Sequence, residues 1–264
     1  MIDTHCHLQD RAFEDDRAEV VERAREAGVR AMLTVGVDLA DSRAAVEAAQ
    51  SYGLSAAVGI HPHEAASAPR ELTAELTRLL QEDGVVALGE IGLDYYYDRS
   101  PRDVQVSVLR EQLRIARDRS SPVIFHQRDA FDEFTRILRD EWRPGMRGVV
   151  HCFTGTPAQA RVYCHEFGLF LGIGGVLTFP KAESVRDAVR DVGVGALVLE
   201  TDCPYLAPVP KRGKRNEPAF VTLTAAKLAE LLALTLDEVV AATDANAFDL
   251  FALGSQDKDD SATV

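Results

Sequence analysis

The sequence predicts an α/β protein, a closed (β/α)8 TIM barrel, and three observations predict it. Eight apolar, β-branched runs alternate with amphipathic stretches, the pattern of parallel strands joined by helical crossovers. The chain has 264 residues, enough for a fold that needs roughly 250. Residues able to bind metals close five of the runs, each followed by turn residues: His5 and His7 in MIDTHCH, Glu90 in VVALGEIGLD, His126 in PVIFHQRDA, His151 in GVVHCFTG and Asp202 in LVLETDCPY. The ends of parallel strands in a closed barrel meet on one rim, so ligands from five runs point to one site.

The first predicted strand covers residues 1–6, and a helix follows over 14–27, with Ala18, Val21 and Ala24 at helical spacing and Gly28 as its stop. Strands over 31–37, 55–60 and 85–91 come next, and then a long loop, Asp94 to Pro101, that carries three consecutive tyrosines. The longest amphipathic helix is predicted over 103–119, from Val104, Val108, Leu109, Leu113 and Ile115. Strands over 123–126 and 148–151 precede Thr156-Pro157-Ala158-Gln159, a capping box with proline at the first helical position. His165 falls in the helical stretch AQARVYCHEF and reads as structural. Strands over 169–174 and 196–201 complete the eight, and Thr235-Leu236-Asp237-Glu238 opens the last helix with a second capping box. Residues 1–253 read as one catalytic domain, and the polar residues 254–264 as a disordered tail.

Apolar residues make up 46% of the chain, ample for a large core, yet no run approaches the roughly 18 residues of a membrane span. The first strand begins at once, with no basic or apolar leader region, so the expectation is a cytoplasmic protein without membrane association, monomeric or weakly oligomeric. The cysteines Cys6, Cys152, Cys164 and Cys203 form neither a CxxC pair nor a disulfide framework. Strand alternation turns Cys6, Cys152 and Cys203 away from the ligands beside them. A net charge of −13 argues against broad adhesion to nucleic acid, although PKRGKRNEP, after Asp202, gathers Lys211, Arg212, Lys214 and Arg215.

In order along the chain, HCHL, GIHPHE, GEIGLDYYYD, FHQRDA, HCFTG, ETDCPYLAP, RGKRNEP and DANAFDLF resemble the motifs of the TatD family of metal-dependent hydrolases and deoxyribonucleases, amidohydrolase-like TIM barrels. The resemblance extends to about Leu253. It implies a two-metal site: His5, His7 and Asp202 holding one divalent ion, His126 and His151 a second, and Glu90 bridging them. The mixed imidazole and carboxylate set does not choose among Mg, Mn and Zn. Gln127 departs from the family pattern, where a small residue is usual, and its position in the strand turns it away from the lumen.

The chemistry fits those residues. A phosphodiester repels hydroxide, and two cations about 3.5–4 Å apart offset that repulsion and supply hydroxide at neutral pH. Asp202 is the expected general base, with Glu90 as the bridge. His61 is assigned to phosphate contact rather than to metal, and His63 either to a second contact or to shaping the loop. Glu200, two residues before Asp202, reads as an inward-facing group behind the ligands.

Arg128 together with Lys211, Arg212 and Arg215 are candidate phosphate contacts. Tyr95, Tyr96 and above all Tyr97 are candidates to stack on a base. The plain alternatives are a solvated loop for the basic segment and packing for the tyrosines. The expected activity is 3′–5′ exonucleolytic cleavage at single-stranded DNA ends, the polarity being implied by the resemblance. The alternative is ester or amide hydrolysis by the same metals, such as D-aminoacyl-tRNA deacylation.

Overall fold

The computed structural model describes residues 1–252, and the tail expected over 254–264 lies outside them. Eight strands pair side by side in sequence order: β1 (Ile2–Cys6), β2 (Ala31–Val35), β3 (Ser55–Val58), β4 (Val85–Asp94), β5 (Val123–Arg128), β6 (Gly148–Val150), β7 (Phe170–Ile173) and β8 (Leu197–Leu199). All of these pairings are parallel. The seam between β8 and β1 closes just beyond the regular ladder. There Cys6 bridges Cys203 in parallel register, Asp202 N donates to His5 O at 2.8 Å, and His7 N donates to Cys203 O at 2.8 Å. The expected (β/α)8 barrel is what the chain forms, and three proposed ligands sit on the seam itself.

Ile2, Leu33, Val35, Ala57, Ala87, Ile124, Val149 and Val198 fill the barrel interior. Its floor is closed by Ala247, Leu250 and Phe251 from the last helix, Leu236–Phe251. Burying each large apolar side chain contributes roughly 1.5–3 kcal/mol. A second, larger apolar layer lies between strands and helices, and Cys6 and Cys203 belong to it, as alternation required. Both expected capping boxes form, Thr156 with Gln159 and Thr235 with Glu238. The long helix spans Arg102–Arg119, close to its expected limits. The first helix starts late, at Arg17, because Asp10 first caps a short 3₁₀ turn, Arg11–Phe13. His165 is exposed in a single π-type turn, Val162–Glu166.

Strand ends depart from expectation where the site is built. β4 continues to Asp94, so Glu90 lies inside a strand rather than at its end. β6 and β8 stop early, at Val150 and Leu199, and the residues beyond them turn through left-handed conformations, Cys152 at φ 46° and Asp202 at φ 58°. Alternation no longer applies there. Cys152 is consequently not turned away as expected: its sulfur lies within 4.8 Å of ligand atoms of His151 and Glu200. Among the described residues, no single helix is long and apolar enough to cross a membrane.

Candidate metal centre

The six residues singled out in the sequence converge at the carboxyl ends of the strands. His5 Nε2 lies 3.3 Å from His7 Nε2 and 3.5 Å from Glu90 Oε2. Asp202 Oδ1 stands 3.4 Å from His7 Nε2, 3.8 Å from His151 Nε2 and 4.0 Å from His5 Nε2. Glu90 Oε1 reaches His126 Nδ1 at 2.8 Å and His151 Nε2 at 3.7 Å. Atoms held about 2.0–2.2 Å from one shared cation stand roughly 3–4 Å apart, which is the spacing most of these pairs adopt. The donor set therefore fits divalent metal. His5 belongs to two overlapping groups, one with His7 and Glu90 and one with His151 and Asp202.

Proton placement supports the same reading, because an imidazole ligates only through an unprotonated nitrogen. His7 Nδ1 donates to Val35 O at 2.8 Å, leaving Nε2 free to bind. His151 turns Nδ1 toward Glu200 Oε1 at 3.1 Å, although without the alignment of a good hydrogen bond. Glu200 also accepts from Cys152 N at 2.7 Å. His126 directs Nε2 at Asp94 Oδ2, 2.9 Å away, so its Nδ1 faces the cluster. The Nδ1 of His5 is buried without a partner.

The electrostatics is that of a site waiting for cations. Burial disfavours charge on His151, but Glu200, Glu90 and Asp202 outweigh it and push its pKa up to about 10. His126 and His7 are raised as well, burial being overcome by Asp94 and Glu90 in one case and by Asp202 in the other. Burial would raise Glu90 and Asp202, yet the surrounding histidines hold both below the ordinary carboxylate range. A cluster with so strong a hold on protons carries surplus negative charge, which metal neutralises in their place.

His61 behaves differently. Its Nδ1 accepts from His63 N at 3.1 Å, so its proton resides on Nε2, 3.8 Å from Glu90 Oε1. Burial lowers its pKa well below the usual value and keeps it neutral. His61 is therefore a hydrogen-bond donor facing the site, although it stands close enough to Glu90 and His126 to be grouped with them. His63 donates to Asp94 Oδ2 at 2.9 Å.

Sequence reasoning missed Asp94 by reading it as the start of a loop. Asp94 is fully buried; Oδ2 faces His126 and His63, while Oδ1 accepts from Tyr96 N and Tyr97 N at 3.0 and 2.8 Å. The four-residue step from Glu90 in GEIGLD was the available signal. Two glycines make the arrangement possible. A Cβ on Gly92 would stand 1.8 Å from His126 O, and one on Gly172 would stand 2.2 Å from Glu200 Oε2.

A cavity of about 540 Å³ opens above the six residues, and His61, His63, Tyr97, Arg99, Arg128 and Tyr205 line its upper wall. Tyr97 and Tyr205 are half-exposed at 51% and 54%. Arg128 and Arg99 flank the Tyr97 ring at 4.8 and 5.5 Å from its centre; Arg99 lies in the tyrosine loop and Tyr205 in ETDCPYLAP, but neither was singled out in the sequence. The structure does not bring the basic segment into this cavity. Arg215 pairs with Asp16 at 2.7 Å, Arg212 packs on Phe179 at 3.9 Å and Lys211 on Phe220 at 5.0 Å. Gln127 turns outward as expected, its amide 2.9 Å from the Tyr163 hydroxyl.

A parallel eight-stranded barrel with imidazoles and carboxylates at cation spacing on its carboxyl rim defines a metal-dependent hydrolase. The chain belongs to the TatD family: the model for TatD related DNase matches residues 2–252. It is 39% identical to the metal-dependent hydrolase YabD of Bacillus subtilis over 252 residues, covering 95% of this chain and 98% of that one. It is 38% identical over 258 residues to the 3′-5′ ssDNA/RNA exonuclease TatD of Cronobacter turicensis, covering 95% and 97%. The crystal structure of YjjV, a TatD homologue from Escherichia coli K12, matches with a TM-score of 0.90 at 32% identity, covering 96% and 98%. The family expected from the motifs is the family found, and these relatives give no support to the acyl-bond alternative.

Proposed function

We propose that the protein is an exonuclease that removes nucleotides from the 3′ ends of single-stranded DNA, with two divalent ions held by His5, His7, Glu90, His126, His151 and Asp202. The observation that carries this reading is the position of that cluster, at the base of a cavity whose mouth combines arginines with half-exposed tyrosines. The relatives named exonucleases support it. When bound, the ions neutralise phosphodiester oxygens and supply hydroxide near neutral pH.

The chain's own groups do the rest. Asp202, ionised and facing the cluster, takes a proton from the attacking water. The water oxygen adds to phosphorus as the bond to the 3′ oxygen of the preceding nucleotide breaks. That proton passes on to the leaving 3′ oxygen, and a 5′-mononucleotide is released. His61 donates its Nε2 proton to a phosphate oxygen, and Arg128 and Arg99 hold the backbone by charge. Tyr97 and Tyr205 stack on the terminal base. Lys211, Arg212 and Arg215 are engaged elsewhere and are not part of this proposal.

The test is digestion of end-labelled single-stranded DNA by metal-stripped protein, with Mg, Mn or Zn restored and Asp202→Asn as control. Stepwise shortening from the 3′ end that is lost in the variant is expected. Protein that binds two ions yet cleaves neither DNA nor RNA with any metal would overturn the nuclease reading in favour of acyl-bond hydrolysis.

A further inference from the structure

Beside the metal cavity lies a larger one, of about 850 Å³, that the proposed chemistry does not use. Among the described residues, Arg128 alone lines both. Its guanidinium stands 4.0 Å from the centre of the Tyr96 ring and 4.8 Å from that of Tyr97. Tyr97 faces the metal cavity and Tyr96 the second one, and their rings meet edge to face at 4.8 Å. β5 divides in the same way, with His126 toward the metal cavity and Gln127 toward its neighbour, as alternation along a strand requires. Arg128 thus stands at the boundary of both cavities and brings a positive charge to it.

Both cavities set carboxylates against Arg128, and the first carries Asp10, Asp41 and Glu64 besides Glu90 and Asp202. Val150, Phe131 and Phe153 give the second cavity an apolar part within a mostly polar lining, with Tyr96 at its edge. Its charged groups other than Arg128 are the carboxylates Asp129, Asp132 and Glu133, of which Glu133 is already paired with Arg136. Carboxylates repel phosphate but accept hydrogen bonds from amines. A planar group bearing an exocyclic amine suits such a space, and a phosphate suits only its arginine wall.

We infer that this cavity receives the base of the penultimate nucleotide, the one whose 3′ oxygen leaves, while the connecting backbone crosses Arg128. The inference rests on the exonuclease reading and gives it a sequence preference. Cytosine, adenine and guanine carry the amine that the carboxylates accept, and thymine does not. The terminal nucleotide stays with Tyr97 and Tyr205 over the metals, so the strand spans both cavities.

Two measurements test this. Thymidine 5′-p-nitrophenyl phosphate has the terminal nucleotide but a nitrophenolate where the penultimate nucleoside would be. Thr154→Trp places an indole at the exposed lip of the second cavity. The ratio of kcat/KM on single-stranded DNA to that on the nitrophenyl ester should fall on the order of tenfold, the size of one lost stacking contact. An unchanged ratio overturns the inference.

The second measurement needs no cleavage. 2-Aminopurine is placed at the penultimate position of a strand whose terminal linkage is a phosphorothioate, and the strand is bound to metal-loaded protein. Quenching specific to that position, and relieved by Tyr96→Ala, is expected. Equal fluorescence at the penultimate and distant positions, or no binding, overturns the inference whether or not DNA is digested. Penultimate quenching without digestion would leave the base site standing and sink the nuclease reading alone.

Discussion

Asp94→Asn is the sharpest perturbation the site offers, because it alters a charge and a proton without altering shape. Oδ1 of Asp94 is fixed by the Tyr96 and Tyr97 amides at 3.0 and 2.8 Å, so the amide oxygen of the variant must stay there. The new NH2 group then faces His126 Nε2 and His63 Nε2, where the carboxylate had accepted at 2.9 Å from each. Donor against donor is repulsive, and His126 relieves it by moving its proton to Nδ1. That is the nitrogen aimed at Glu90 and the metal, and once protonated it no longer binds. Partners that orient metal-bound histidines are worth roughly 10–100-fold in metal affinity or activity, or about 1.4–2.8 kcal/mol. The assay is competitive metal titration against a chelator, with kcat followed in parallel and the melting temperature as the check on folding. The expected result is selective weakening of the ion held by His126 and His151. A variant that binds two ions with unchanged affinity and turns over normally would refute the tautomer argument.

Two further expectations concern charge. Arg128→Ala should raise KM for single-stranded DNA and flatten its salt dependence, since one phosphate contact is lost. Arg215→Ala should leave KM within about twofold and lower stability by no more than about 1 kcal/mol, as expected for a partly exposed ion pair with Asp16; the reverse pattern in steady-state kinetics would restore the basic segment to the substrate path. Above about pH 6.5, where the lowered groups Glu90, Asp202 and His61 no longer titrate in either state, the metal-free protein should lose stability as pH rises. Burial, only partly offset by hydrogen bonds from Thr201, pushes Asp3 up to about 8 from 3.8, and the carboxylates around His151 push it up to about 10 from 6.5. Both folded values exceed the unfolded ones, so the native state binds the extra protons. The stabilisation is full below the unfolded values and is lost through about pH 8 for Asp3 and about pH 10 for His151. Urea midpoints of stripped protein that stay flat or rise between about pH 7 and 10 would contradict this linkage.

What could be read in the sequence was whatever depends on strand periodicity alone. Parallel strands buried on both faces leave near-continuous apolar runs, so His5, His126 and His151 could be seen at or near their ends and assigned to one rim. The rest depended on backbone turns and on partners distant in sequence. Cys152 and Asp202 adopt positive φ, which removes the alternation used to orient their neighbours. Asp94 belongs to a strand that outran its apolar pattern by three residues. Arg215 looked free because its partner, Asp16, lies 199 positions away. A local basic cluster carries no information about which of its charges the fold has already neutralised.

The same distinction explains why the candidate ligand set was more legible than the division of labour within it. Seven histidines occur in the chain, and residue type cannot separate a ligand from a donor. The second nitrogen of the ring does so for His7, His126 and His61, whereas Nδ1 of His5 and of His151 has no hydrogen-bond partner. A backbone carbonyl on His7 and Asp94 on His126 each claim the outward nitrogen and leave the inward one open to metal, and beside His151 the Glu200 carboxylate lies 3.1 Å from the outward nitrogen without a hydrogen bond. On His61 the outward nitrogen instead receives a backbone N–H, so the inward one keeps its proton and points it at the cavity. Two acceptors and one donor, supplied by β2, β4 and the loop after β3, would thus sort His7, His126 and His61 into binding and polarising roles. Exchanging acceptor for donor behind any one of them should exchange its role at the centre, and Asp94→Asn does so while its other oxygen keeps the Tyr96 and Tyr97 amides.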